Sequence, residues 1–285
     1  MDKQVDIWKG FSSHTVSQLR TIAALLNRLD PQAQSDALIV PGSPEPRGNI
    51  IVFPGSFNPP TNAHLAMLQQ AQHYGREHGG MHVYAAISKH TTDKENVQRP
   101  LLVDRVLLLE EIMQRYLQAA GVMLFNRGLY VEQAEGIRRR YPAVATLYFL
   151  VGFDKIVQVF DPRYYSDRDK ALHELFALAD ILVAPRANAG EHELKQLLQK
   201  PENRQFASHV HALPLNEAYR NVSSTHIRQD FARYASDVPP EVRQFIQETH
   251  AYEPAQRLPD GREIDRYGER MLAIQNLLRQ TGGAV

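Results

Sequence analysis

The chain has 285 residues, of which 43% are hydrophobic and 22% charged. That is enough to bury a core and too apolar for a disordered chain. Lys plus Arg and Asp plus Glu both number 32, so the formal net charge is zero, which argues against a broad electrostatic footprint for nucleic acid or an anionic membrane. The absence of cysteine excludes disulfides, thiolate metal sites and a cysteine nucleophile. No apolar run is long enough to span a bilayer, and "MDKQVDIWKGFSSH" lacks the apolar segment of a signal peptide, so a cytoplasmic protein is expected.

In chain order, residues 12–30 predict a helix capped by Ser12 or Ser13, with Val16, Leu19, Ala23, Leu26 and Leu29 as its apolar stripe. "PGSPEPRG", 41–48, is dense in Pro and Gly and reads as a linker. A boundary there divides the chain into an N-terminal helical extension (1–47), a central core (48–237) and a C-terminal helical segment (238–285).

Within the core, strands are predicted at 49–54, 82–87, 121–125, 146–151, 180–184 and 208–213. Helical patterns fall at about 62–78, 101–119, 130–140, 153–160, 168–178, 190–199 and 224–235. Near-continuous β-branched and aromatic strands alternating with helices predict a parallel sheet covered on both faces, an α/β Rossmann-like fold. Ligands of such sheets bind beyond the carboxyl ends of the strands, near the topological switch point. After 239 come a helix, a polar turn at Pro259-Asp260-Gly261 and a last helix near 264–279.

Three strand-to-helix junctions carry chemistry. In "NIIVFPGSFNPPTNAHL" a strand ends at Phe53 or Pro54 and a helix starts near Thr61 or Asn62. Gly55 can take a positive φ and bring backbone near a ligand. The helix N-terminus welcomes an anion, and His64 on its first turn can donate to a phosphate oxygen. In "NVSSTHIRQDFARYA", Ser223 and Ser224 can cap a second helix, and Arg228 lies one turn on from Ser224. The guanidinium fork of Arg228 suits a triphosphate. In "FLVGFD", Gly152 and Asp154 put a permissive backbone and a carboxylate at the same sheet edge, with a plain N-cap as the alternative role for Asp154.

"GSFNPPTNAHL" resembles the HxGH-type signature of the nucleotidyltransferase α/β superfamily, "VSSTHIR" its second signature, ISSTxIR, and "VGFD" its GxD element. The "FNPxTNxHL" form is most similar to the adenylyltransferases acting on nicotinamide or nicotinic-acid mononucleotide. The resemblance covers roughly residues 49–236.

It implies transfer of AMP from ATP to the phosphate of a pyridine mononucleotide. His64, Thr61 and Arg228 would be the catalytic residues. ATP would be held by Gly55, Ser56 and Phe57 through backbone amides, by His64, Ser223, Ser224, Thr225 and Arg228 at the phosphates, and by Gly152 and Asp154 at the ribose. Mg²⁺ would be held mainly by substrate and water, and the sequence names no protein ligand for it.

Candidates for the acceptor are Asn58, Ser88, Lys89, Lys94, Tyr164 and Tyr165. Asp104 and Arg105 open the next helix, either as part of this side or as simple helix-terminal charges. The chain departs from the signature in having Thr61 at the place of its first histidine and Ala63 at its glycine. The family often stacks the pyridine on a tryptophan after the GxD helix. The single tryptophan here, Trp8, lies outside the core, which leaves Tyr164 and Tyr165 in that neighbourhood either to stack instead or to serve simply as core.

His209 and His211 in "SHVHAL" share one strand face with no third ligand evident, so they read as structural. The nearest rival reading is a sibling adenylyl- or cytidylyltransferase for phosphopantetheine or another small phosphate. An aminoacyl-tRNA synthetase is disfavoured, because no anticodon domain and no net basic character are evident. A nucleotide sensor without turnover is the rival of another class. The terminal segments are expected to cover the sheet edge or to build a homo-oligomer interface.

Overall fold

The computed structural model describes residues 11–89 and 99–279. Seven strands form one sheet: β1 (Ala37–Ile39), β2 (Gly48–Pro54), β3 (His82–Ser88), β4 (Ala120–Phe125), β5 (Val144–Gly152), β6 (Asp180–Ala184) and β7 (Val210–Ala212). Their order is β1-β4-β3-β2-β5-β6-β7, with every pairing parallel except β1 with β4. The chain builds outward from β2 through β3 to β4, then returns to lay β5, β6 and β7 on the other side. The switch point therefore lies between β2 and β5, and the crevice beyond their carboxyl ends is the expected ligand site.

Period-two alternation sorts the side chains of each strand. In β2, Ile51 and Phe53 face one apolar layer, and Ile50 and Val52 face the other. The first layer is built with α1 (Ser13–Arg28), α2 (Asn62–Glu77), α3 (Leu102–Tyr116), α8 (Ser224–Gln229), α10 (Pro240–Thr249) and α11 (Arg266–Arg279). The second is built with α4 (Tyr130–Arg140), α5 (Phe153–Phe160), α6 (Arg168–Phe176) and α7 (Glu191–Gln199). The doubly covered parallel sheet is the predicted α/β Rossmann-like class.

Three local expectations need correction. The segment before the Pro/Gly linker holds a strand, β1, that the sequence reading left out. Its three residues lie between turn-rich stretches and are too short to show a period. The strand predicted at 208–213 keeps only Val210–Ala212, because Arg204–His209 close into a 3₁₀ turn. The helix predicted at 224–235 breaks at Asp230, whose side chain accepts from the Arg233 N–H at 3.1 Å and starts α9 (Phe231–Tyr234) afresh.

The terminal segments are tied to the core. β1 pairs with β4, and Leu19, Ile22 and Leu26 of α1 sit in the first apolar layer. The Lys89 ammonium donates to the Leu26 carbonyl at 2.8 Å, closing the last turn of α1. Removal of residues 1–46 is accordingly expected to lower thermal stability or change the assembly state more than it changes turnover per folded molecule. A truncated protein with unchanged melting temperature and assembly state would contradict this.

Candidate active site

Strand β2 delivers the first loop to the switch point. Thr61 caps α2: its hydroxyl accepts from the His64 N–H at 3.3 Å, and the His64 ring nitrogen Nδ1 accepts from the Thr61 N–H at 3.0 Å. This is a reciprocal capping box with histidine in the place usually held by Glu or Gln.

The arrangement sets the chemistry of the imidazole. Because Nδ1 accepts the Thr61 N–H, it carries no proton, and the neutral ring must carry its proton on Nε2. The Thr61 hydroxyl also lies 2.9 Å from Nδ1. The ring packs beside Phe57 and Phe53, with centroids 5.0 and 5.8 Å away. Burial among them, reinforced by the positive charge of Arg186, pushes the His64 pKa down to about 4. His64 is thus a neutral donor held in one tautomer.

NMR titration of the free protein should show the His64 ring unchanged from pH 8 to 5, with a midpoint near 4. A midpoint near 6.5 would contradict the described packing. The unfolded chain takes up this proton at about 6.5, its ordinary value, and the folded chain only near 4. His64 therefore contributes a loss of stability as pH falls between those two values.

Glycine at 55 has a different cause from the expected one. The left-handed backbone falls on Phe57, with φ of 45°, and Gly55 is not among the positive-φ glycines. A Cβ on Gly55 would lie 3.0 and 3.2 Å from the buried Phe57 ring atoms Cε2 and Cζ. Gly55→Ala should therefore cost about 1–3 kcal/mol in denaturant unfolding by overpacking. Wild-type stability would show that the ring moves aside freely. The Gly55 N–H donates to the Ala86 carbonyl at 2.9 Å and is not spare for phosphate, contrary to the sequence expectation. The amides of Ser56 and Phe57 find no acceptor among the described residues, and Ser56 is exposed.

The second motif docks directly on the first. The Ser224 hydroxyl donates to the Pro59 carbonyl at 2.9 Å. Arg228 donates from Nη1 to the Asn58 carbonyl at 2.7 Å and from Nη2 to the Thr225 hydroxyl at 3.3 Å. Ser223 occupies the N-cap position of α8 but makes no side-chain cap bond, and Thr225 is exposed. Ser224 was expected as a phosphate ligand. Its proton goes to Pro59 instead, which makes it a latch between the motifs.

At the end of β5, Gly152 is the N-cap of α5, and a Cβ there would meet nothing within 4 Å. Packing leaves that corner open. Asp154 lies in the first turn of α5 rather than at the cap, and its carboxylate is 3.6 Å from Arg186 Nε.

Sequence reasoning missed Arg186. It follows β6 at the same sheet edge, donates to the Val222 carbonyl at 2.6 Å, pairs with Asp154 and acts electrostatically on His64. One residue therefore connects all three motif segments. The edge rule that selected the other junctions would have found it in "VAPRANAG". Arg105 is a second cation at the loop, donating to the Ser56 carbonyl at 3.1 Å. It is therefore more than a helix-terminal charge.

The expected acceptor residues fare less well. Both polar ends of the Asn58 side chain are taken: Nδ2 donates to the Arg99 carbonyl at 3.2 Å, and Oδ1 accepts from the Tyr252 hydroxyl at 2.7 Å. Asn58 is a buried clip, not a free ligand. Lys89 gives one of its three N–H donors to α1, as above, and is otherwise exposed. The Ser88 hydroxyl accepts from Gln133 at 3.0 Å. Tyr165 donates to the Val159 carbonyl at 2.8 Å, whereas Tyr164 is 63% exposed. Lys94 and Trp8 lie outside the described residues.

His209 and His211 sit 2.8 and 3.4 Å from the Asp180 carboxylate, and no group of three or more His, Asp or Glu among the described residues could hold a metal ion. No helix among the described residues is long and apolar enough to cross a membrane.

The fold and the three converging junctions define a nucleotidyltransferase-type α/β protein. A family profile described as Cytidylyltransferase-like matches residues 52–230, and the chain belongs to that family. No curated protein matches the chain. Among solved structures, Plasmodium falciparum nicotinic acid mononucleotide adenylyltransferase complexed with APC aligns at 15% identity and TM-score 0.48, over 72% of this chain and 96% of that one. A protein of Vibrio parahaemolyticus described as a nicotinate-nucleotide adenylyltransferase aligns at 14% identity and TM-score 0.40, over 70% and 99%. Thermotoga maritima TmcAL bound with alpha-thio ATP aligns at 15% and 0.36, over 71% and 56%.

Proposed function

We propose that this nucleotidyltransferase moves the adenylyl group of ATP onto nicotinamide or nicotinic-acid mononucleotide, forming NAD or its deamido form and releasing pyrophosphate. One observation carries the reading: the contact of the two motifs at the switch point, through Ser224 with Pro59 and Arg228 with Asn58, beside a His64 held as a neutral donor.

A phosphate oxygen of the mononucleotide attacks the α-phosphorus of ATP. The bond from that phosphorus to the bridging oxygen of the β-phosphate breaks, and pyrophosphate leaves. The attacking phosphate is already anionic, so no protein nucleophile is required. The protein's part is positioning and charge stabilisation.

His64, through Nε2–H, and the Ser56 and Phe57 amides would donate to phosphate oxygens. Arg228 and Arg186 would supply positive charge, with Ser223 and Thr225 on the phosphate side. Gly152 and Asp154 would meet the ribose. Mg²⁺ suits such a site through phosphate oxygens and water, and would neutralise charge on the leaving group.

The test measures pyrophosphate release with ATP or CTP, Mg²⁺ and, separately, nicotinamide mononucleotide, nicotinic-acid mononucleotide and phosphopantetheine. Release with ATP and a pyridine nucleotide is expected. Release only with phosphopantetheine, or only with CTP, would assign a sibling reaction. ATP binding with no release in any arm would favour a sensor.

A further inference from the structure

The amino ends of β2 and β3 open onto a second cleft, of about 550 Å³, lined among others by Arg47, Arg76, His82, Gln72, Gln118 and Met81. We propose that this cleft binds a phosphorylated small molecule at a site separate from the switch-point crevice.

Charge is the first argument. The chain as a whole is neutral, with 32 basic and 32 acidic residues, so a basic concavity is not a by-product of overall composition. The cleft is lined by two guanidiniums and a histidine and by no carboxylate. Neither Arg47 nor Arg76 makes an ion pair or side-chain hydrogen bond among the described residues. The neighbouring Glu77 is paired instead with His73, at 3.2 Å. Arginine stays charged at any working pH, and its planar fork matches phosphate oxygens.

Size and lining are the second. The volume falls within the roughly 300–1,000 Å³ of small-molecule sites and is too large for a bare phosphate ion. Met81 and Ala119 provide apolar surface for an organic part, and Gln118 lines it with a polar side chain, while the Gln72 amide donates to the Gln118 carbonyl.

Position is the third. β2 runs from this cleft, at Gly48 and Asn49, to the candidate active site at Pro54, a rise of about 20 Å for seven residues. Helix α2 carries His64 on its first turn and Arg76 on its last, about 18 Å apart at 1.5 Å per residue. A ligand in this cleft therefore cannot be the one that meets His64.

The test is isothermal titration of the full chain with ribose 5-phosphate, a phosphate monoester with a small polar body. Wild type should show saturable binding. The double variant Arg47→Ala/Arg76→Ala should raise Kd by about tenfold or more, through loss of charge-assisted hydrogen bonds. Both residues are exposed, so its melting temperature should match wild type. His64→Ala should bind within about twofold of wild type.

The proposal is overturned by an absence of saturable heat up to about 10 mM ligand. It is equally overturned by an unchanged Kd in the double variant, or by a loss of binding in His64→Ala that would place the ligand in the switch-point crevice.

Discussion

Replacing His64 by alanine is expected to lower kcat by about 10²–10³-fold with the fold intact, as for loss of one preorganised donor to developing phosphate charge. The size follows from how completely the group is set up beforehand. Nδ1 is occupied by the Thr61 N–H, so the tautomer is chosen before substrate arrives. The low pKa, from burial and then from Arg186, keeps the ring neutral at working pH. No reorganisation is left for the reaction itself to drive.

Alanine would also remove the reciprocal half of the cap on α2, a stability effect of about 1 kcal/mol. His64→Gln separates the two losses. Glutamine is an ordinary residue at that capping position and should restore stability. It cannot restore the imidazole Nε2–H in its place, so turnover should remain low. The measurement is steady-state pyrophosphate release together with denaturant unfolding of both variants. A kcat near wild type in His64→Ala would remove His64 from the mechanism.

The second large effect concerns stability. Asp104 is fully buried on the first turn of α3. It accepts from the Tyr267 hydroxyl at 2.7 Å and from Arg270 at 3.1 and 2.7 Å, both on α11. Tyr267 in turn accepts from the Leu101 N–H at 2.6 Å, and burial pushes its hydroxyl pKa well up, so it stays a donor.

Asp104→Ala would leave the nearly buried Arg270 cation without this anion and the Tyr267 proton without its acceptor. A buried pair broken on one side costs about 3–5 kcal/mol. Urea unfolding should show a lower midpoint. Asp104→Ala/Arg270→Met should recover part of the loss, because the stranded charge is gone. A loss under about 1 kcal/mol would mean that water or another group replaces the carboxylate.

Much of this molecule can be read from local order in the chain. Strands such as 82–87 and 180–184 declare themselves because a strand covered on both faces must be apolar at almost every position. The start of α2 is legible because Thr61 and Asn62 are good caps after a Pro-rich loop. The three motif segments are legible because backbone that meets phosphate draws on few residue types.

What tertiary structure decided is which polar groups remain spare. Asn58, Ser88, Lys89 and Ser224 looked like ligands in the sequence, yet each is engaged by a partner at least 45 positions away. Their availability depends on which carbonyl or hydroxyl the fold brings beside them, and spacing along the chain carries no such information. Gly55 is small because of a ring two residues on that turns back over it, a consequence of the left-handed backbone at Phe57. Asp104 read as an acceptor-side residue or a simple helix-terminal charge, and α11 covers it.

Arg186 belongs to the site because parallel pairing sets the end of β6 next to the end of β5. The sequence by itself therefore determined the architecture and the three segments that meet at the switch point, because both follow from local pattern. The choice between ligand and latch at each side chain was left to long-range packing, because a hydrogen bond belongs to whichever partner the fold delivers.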